Sequence, residues 1–293
     1  MLKKMLVLVT LLGIIGTTTV FATDTTNALP YLRMGIGARA LGMGGAFTSI
    51  SDDASAMFWN PAGIGMVNKL EIITSIASLS LDRSLNTLGF VLPNIMNGSL
   101  GIGIINAGVT GIKGYVREND VDRPTGDFAY QSNMLIVSYG KPVQEQLHAG
   151  INLKIISDSL KDNSRSGFGL DIGVISKPVN KLSLGLKMQD VINIIGNDAA
   201  PMSINIGLAY KFFNDSLTLS GDINKIVDKE NIKSRIGLEY KVADIMSFGA
   251  GVNDSNISFG LGFNLGQINF AYAYVTDNLK VSDGQHISIG YKF

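Results

Sequence analysis

The sequence predicts an all-β membrane protein, a 14-stranded antiparallel transmembrane barrel with a plug-like N-terminal segment. Three observations carry that expectation. After residue 68 the chain alternates apolar and small polar residues with period two, the spacing of strands with two unlike faces. The connections between these runs alternate between short and long. The composition pairs only 16% charged residues with 34 glycines, too apolar for an ordinary soluble surface and too rich in glycine for membrane helices.

Bulk properties narrow the function classes. The 24 basic and 24 acidic side chains balance, so no net field favours nucleic acid. There is no cysteine, which excludes disulfides and thiolate metal sites. His148 and His286 lie far apart in sequence and read as surface or turn residues, not as a metal pair. No nucleophile elbow, zinc motif or P-loop is present, and Gly35, Gly37 and Gly42 lack dinucleotide-site spacing. No catalytic residue, cofactor or metal is expected.

In chain order, the first unit is residues 1–22. Lys3 and Lys4 precede the apolar run Met5 to Ile15, and Val20-Phe21-Ala22 offers small residues for cleavage after Ala22. This is the pattern of a secretory signal peptide, with an apolar core too short for an anchor. No later stretch is long and apolar enough for a spanning helix. A membrane-embedded chain must then be a barrel, the other backbone that satisfies its own hydrogen bonds in lipid.

Residues 23–68 form the second unit. Each glycine costs a helix about 1 kcal/mol, so the glycine-rich first half predicts irregular chain pressed close against a neighbour. In the second half Ser51 is placed to cap a helix, Asp52 and Asp53 suit its positive end, and Ala54 to Phe58 form about one and a half turns. Pro61 pushes Asn60 out of helical geometry and ends the element. Asp52 and Asp53 point apart as neighbours on a helix, so capping outweighs an acid/base pair. Arg39 is expected to pair with Asp52 or Asp53, or with an acid of the lumen.

These residues also carry a resemblance. Gly37-Ala-Arg39-Ala-Leu-Gly42-Met-Gly44-Gly45-Ala, Ser51-Asp52-Asp53-Ala54 and Asn60-Pro61-Ala62-Gly63 resemble the N-terminal hatch of the PorV/PorQ family. That family is similar to the FadL-type long-chain fatty acid transporters of the bacterial outer membrane. The resemblance implies a 14-stranded barrel closed by a hatch in outer-membrane lipid, and the terminal Tyr291-Lys292-Phe293 resembles the C-terminal signal of barrels inserted by the barrel assembly machinery, with Ser288 at the signal's usual glycine position. Two functions follow from it. One is passive transport of hydrophobic compounds; the other is a secretion role, as PorV-like members carry substrate proteins for type IX secretion. The partner is accordingly a hydrophobic small molecule or a secreted protein.

Residues 69–293 form the barrel unit. Alternation places strands at about 69–80, 84–93, 98–106, 128–140, 148–158, 168–174, 182–188, 202–212, 216–225, 235–242, 245–252, 257–264, 268–274 and 287–293. The eighth is cleanest, with Met202, Ile204, Ile206, Leu208, Tyr210 and Phe212 opposing Ser203, Asn205, Gly207, Ala209 and Lys211. Short connections such as Asn94 to Asn97 and Gly266-Gln267 alternate with longer ones at Ala107 to Asp127, Ser159 to Ser166, Asp190 to Ala200, Ile226 to Asn231 and Thr276 to Asp283. Short periplasmic turns and long outer loops are the arrangement of outer-membrane barrels.

The facing follows from the polar rows. A soluble sandwich would carry long charged residues there, whereas these rows are mostly Gly, Ser, Asn and Ala, suited to a filled lumen. Aromatics near strand ends, among them Tyr210, Phe212, Tyr240, Tyr272, Tyr274, Tyr291 and Phe293, fit interfacial girdles. Lys154, Lys187, Lys233 and Arg235 fall on the lumen rows, in their middle to outer half, with Asp171, Asp222 and Glu239. They either neutralise one another or meet the carboxylate or phosphate of an incoming amphiphile.

Overall fold

In the computed structural model the described residues are 31, 34–227, 229–230, 232–254, 256–276 and 283–293. The expected signal peptide and most of the expected loop at Thr276 to Asp283 lie outside them. From Glu71 the chain runs as antiparallel strands: β1 (Glu71–Ser78), β2 (Arg83–Ile95), β3 (Gly98–Glu118), β4 (Val121–Gln144), β5 (Leu147–Leu160), β6 (Asn163–Val179) and β7 (Leu182–Ile195). There follow β8 (Asp198–Ala199), β9 (Ser203–Phe212), β10 (Leu217–Ile226), β11 (Ile232–Val242), β12 (Met246–Asn253), β13 (Asn256–Leu265), β14 (Ile268–Val275) and β15 (Gly284–Lys292). β1 pairs with β15 from Glu71↔Lys292 to Ser78↔Gln285, and this seam closes the ring. The two-residue β8 pairs with the end of β7 at Ile194 and Ile195, while the ring itself passes from β7 to β9. The remaining 14 strands make a closed barrel.

The wall is inside out relative to a soluble protein. On β5 Leu153 is 56% exposed, whereas the adjacent Lys154 is 2% exposed. On β9 Ile206 and Leu208 are exposed while Ser203, Asn205 and Ala209 are buried. Apolar area left in water forgoes about 25 cal/mol per Å², so an apolar outer belt on every side is stable only against lipid. A closed ring leaves no unpaired edge at that depth. The barrel therefore spans a membrane, although among the described residues no helix is long and apolar enough to do so.

The connections differ from expectation in one respect. The stretch Ala107 to Asp127 is not a loop: β3 and β4 stay paired out to Glu118↔Val121, and only Asn119 and Asp120 turn, both at positive φ. Likewise β5 and β6 pair to Leu160↔Asn163, and most of Asp190 to Ala200 is the end of β7 and β8. Backbone pairing outlasts the apolar alternation because both faces of these hairpins are wet, so the side-chain pattern loses its period before the ladder ends. The two barrel ends are thus a hairpin end and a turn end, the latter with the C-terminus. The histidines also differ from expectation. His286 is buried in the lumen on β15, and His148 on β5 is half-buried, so neither is a surface residue.

Residues 34–67 run through the lumen. Despite its glycines the first half holds a short helix, α1 (Ala38–Gly42), made of the residues between the glycines. The second helix, α2 (Ala56–Trp59), starts later than expected and Ser51 does not cap it; the Ser51 hydroxyl donates to the Phe47 carbonyl instead. Asn60 is extended, but Pro61 opens a 3₁₀ helix, Pro61–Met66, in place of a simple stop. Proline suits that first position because its missing N–H needs no partner there. The Asn60 side chain accepts from the Ala62 N–H.

Candidate functional site: two lumen cavities divided by the inner segment

A segment threaded through a barrel must satisfy its backbone without a ladder, and the lumen rows do this. The Ser288 hydroxyl accepts from the Ala38 N–H at 2.8 Å, and that of Ser258 from the Gly44 N–H at 2.9 Å. The Asp222 carboxylate accepts from the N–H groups of Phe47 and Thr48. On the opposite wall Ser183 donates to the Ser49 carbonyl, Asn152 to Met57 and Lys187 to Phe58. The Asn60 amide donates to the carbonyls of Thr48 and Val174.

Glycines supply the remaining fit. A Cβ at Gly150 would lie 2.3 Å from the Pro61 carbonyl carbon, and one at Gly173 would overlap the Asn60 side chain at 2.0 Å. Gly150 pairs across the sheet with both Gly140 and Gly173. The segment's backbone lies where side chains would otherwise stand.

On the turn side of the segment lies a cavity of about 390 Å³. Its lining includes Arg39, Asp52 and Asp53, with Glu71, Glu239, Lys241 and Lys292. Arg39 donates to Glu239 through Nε at 2.8 Å and to Asp52 and Asp53 through Nη1 at 2.7 and 3.0 Å. Its guanidinium also stands 5.1 Å from the Phe47 ring centre. Desolvation by the surrounding protein opposes ionisation of Asp52, but Arg39 outweighs it and holds that carboxyl below the usual range, at about 2. Lys292 pairs with Glu71 at 2.9 Å, and Glu71 accepts from the Ala54 N–H. Apolar side chains such as Met43, Ile73 and Phe263 make up the larger part of its walls, and the charges named on it are partnered.

On the hairpin side a smaller cavity, about 80 Å³, brings together all four cations singled out in the sequence, Lys154, Lys187, Lys233 and Arg235. Their states differ. Lys154 bonds to Asp171 at 2.5 Å and also to Asp190, and both carboxylates are held by further donors. Lys233 is half-exposed and stands 3.8 Å from Asp254. Lys187 is buried and bonds to the Phe58 carbonyl and the Gln189 amide oxygen, with no ion pair among the described residues. Arg235 stands over the Trp59 ring, 5.9 Å from its centre, and its buried Nε lacks a partner. Two cations therefore face this space without a bonded carboxylate.

Sequence reasoning missed the other half of this cavity. Ile105, Met134 and Ile136 line it and pack with Tyr31, Ile36, Ile156 and Ile195 as one apolar cluster, the apolar ring. Its signal is legible in retrospect. Consecutive apolar residues, Ile104-Ile105, Met134 to Val137, Ile155-Ile156 and Ile194-Ile195, mark places where both faces of the wall are apolar. Asp190 was also missed, because it was placed in a loop. A bulge after Met188 turns it inward at positive φ.

No protein-family model and no curated relative matches the chain. Solved structures do. The Pseudomonas putida toluene transporter TodX superposes with a TM-score of 0.63 at 14% identity, covering 93% of this chain and 98% of that one. The CymD monoaromatic hydrocarbon channel gives 0.64 at 14% identity, over 89% and 98%. A Pseudomonas aeruginosa FadL homologue gives 0.55 at 12%, over 93% and 99%. The likeness is to the FadL-like barrel fold, and at these identities it is a likeness of fold.

Proposed function

We propose that the chain is an outer-membrane channel that admits hydrophobic compounds passively, with residues 23–68 as a PorV/PorQ-like hatch and 69–293 as the barrel. The carrying observation is the hairpin-side cavity, where an apolar ring meets the unpaired cations Lys187 and Arg235. Such a site takes the anionic end of an amphiphile at the cations, with the adjoining part of its chain against Ile105, Met134 and Ile136. The hairpin end then faces outward, and the turn end faces the periplasm. The solved neighbours named as hydrocarbon channels support the apolar part of this reading.

The chain's single tryptophan, Trp59, lines this cavity, so its fluorescence reports occupancy directly. Both 10-bromodecanoate and bromobenzene should quench it in detergent. Lys187→Met should weaken the carboxylate by about tenfold, or about 1.4 kcal/mol, and leave bromobenzene unchanged. Failure of both probes to quench at any concentration below their solubility would remove the ligand site.

One observation favours the second reading, a secretion partner. Beyond Arg83↔Val109 and Tyr130↔Leu160 the β3–β4 hairpin has no neighbouring strand, and it exposes Tyr115, Val116 and Val121. Such a ribbon suits contact with a protein. Excising residues 112–127 should leave Trp59 quenching intact; loss of surface-delivered proteins from those cells, with secretion components encoded nearby, would favour this reading.

A further inference from the structure

Glycine inside a strand marks a place where another backbone or a ligand comes close, and the lumen face of β11 to β15 holds glycines of two kinds. Four of them receive the inner segment. A Cβ at Gly237 would lie 2.2 Å from the Met43 carbonyl oxygen, and one at Gly251 2.3 Å from the Gly44 nitrogen. At Gly249 and Gly260 it would meet Gly42 at 3.0 and 2.9 Å. Gly290 receives nothing. It stands two residues beyond the buried Ser288, and the nearest atom to its missing Cβ is the Ile72 carbonyl oxygen at 3.6 Å. At Gly262 the near atoms belong to Ser247 and Phe270 of the neighbouring strands, again not to the segment.

Both uncovered glycines line the turn-side cavity. At about 390 Å³ it falls within the roughly 300–1,000 Å³ of small-molecule sites. Met43 lines it from the segment and Ile73 from β1. Its charges offer an anion nothing. Arg39 is held by Asp52, Asp53 and Glu239, Lys241 stands 3.8 Å from Glu239, and Lys292 stands 2.9 Å from Glu71. Asp244 adds an exposed negative charge to the lining.

We infer that the turn-side cavity is a second ligand site, selective for an uncharged apolar molecule the size of a substituted benzene, and that Gly262 and Gly290 are bare to admit it. A neutral body gains by covering apolar wall. A carboxylate would lose hydration there and find only cations that already have counter-charges. The hairpin-side cavity has the opposite preference, because Lys187 and Arg235 lack bonded carboxylates. This deepens the transport reading above: a neutral compound has a resting place on the turn side that an anionic amphiphile lacks.

Trp59 lines the hairpin-side cavity, so a second reporter is needed. Ser247→Trp in a Trp59→Phe background puts the chain's one indole on β12 in the lining of the turn-side cavity. In detergent, bromobenzene should quench it saturably, and 10-bromodecanoate should need at least about tenfold more. Gly290→Phe, for which the wall has room, fills the cavity and should weaken bromobenzene at this reporter by about tenfold or more. Made alone in the native background, Gly290→Phe should leave quenching of Trp59 and heat-modifiable mobility unchanged, which shows that the barrel is folded. Gly290→Leu replaces it if the larger side chain prevents insertion. A linear response without saturation, which is partition into detergent, would overturn the inference. So would equal quenching by the two probes, or indifference to the filled position 290. Failure of both probes to quench Trp59, with a saturable response at position 247, would instead strike the transport reading and leave this site standing.

Discussion

The two cavities sit on opposite sides of the same short helix yet obey different physics. The turn-side one is roomy, its walls carry more apolar than polar surface, and charges on it such as Arg39, Glu239 and Lys292 are partnered. The hairpin-side one is narrow and apolar on one wall, and it keeps two cations without a bonded counter-charge. A charge without a counter-ion is costly where water is excluded, which makes it a means of binding an anion. The contrast teaches that buried charge is neutralised within the protein on the turn side and left without a bonded carboxylate at two positions on the hairpin side.

The change expected to do most damage is Lys154→Met. It strips the counter-charge from Asp171 and Asp190, both buried at the cavity edge, and should cost about 3–5 kcal/mol. The unfolding midpoint in detergent, followed by loss of heat-modifiable gel mobility, measures this; an unchanged midpoint would show that the carboxylates are already protonated or solvated. Gly150→Val comes next. Its side chain must displace Pro61, so overpacking costs about 1–3 kcal/mol and the seal between the cavities loosens. Planar-bilayer conductance should rise, whereas the same substitution at Gly221, whose missing Cβ has its nearest neighbour at 3.8 Å, should leave it alone. Arg39→Met should cost about 1–3 kcal/mol, less than Lys154→Met, because Arg39 and Asp52 are partly exposed although Glu239 beside them is buried. It leaves Asp52, Asp53 and Glu239 without their shared cation, so residual conductance should shift towards cations. Reversal-potential measurements in a salt gradient would detect this, and an unaltered selectivity would place the leak elsewhere.

Much of this architecture was legible because a membrane wall writes its facing into every second residue. The eighth run of alternation gave β9 with its faces correct, and the small polar rows did turn inward. The rest was hidden for identifiable reasons. The hairpins beyond the membrane have no dry side, so Ala107 to Asp127 lost its period while keeping its ladder. The apolar ring was masked because Met134 to Val137 serves lipid and lumen at once, and period-two reasoning assigns only one face. Asp190 was invisible because a bulge broke the count. The four lumen cations could be found from sequence, but which two lack bonded carboxylates depends on cross-strand register that no single strand reveals.

The seam between β1 and β15 has a consequence for how the molecule is made. The last backbone bond there, from the Phe293 N–H to the Leu70 carbonyl, lies just past the point where the inner segment leaves the lumen. The segment is bonded to strands around the whole ring, and once the ring is shut it cannot be threaded in from the side. Residues 34–67 precede β15 in the chain, so the wall assembles around a guest that is already made. Pairing of β15 with β1 fixes both the shape of the wall and what is locked within it.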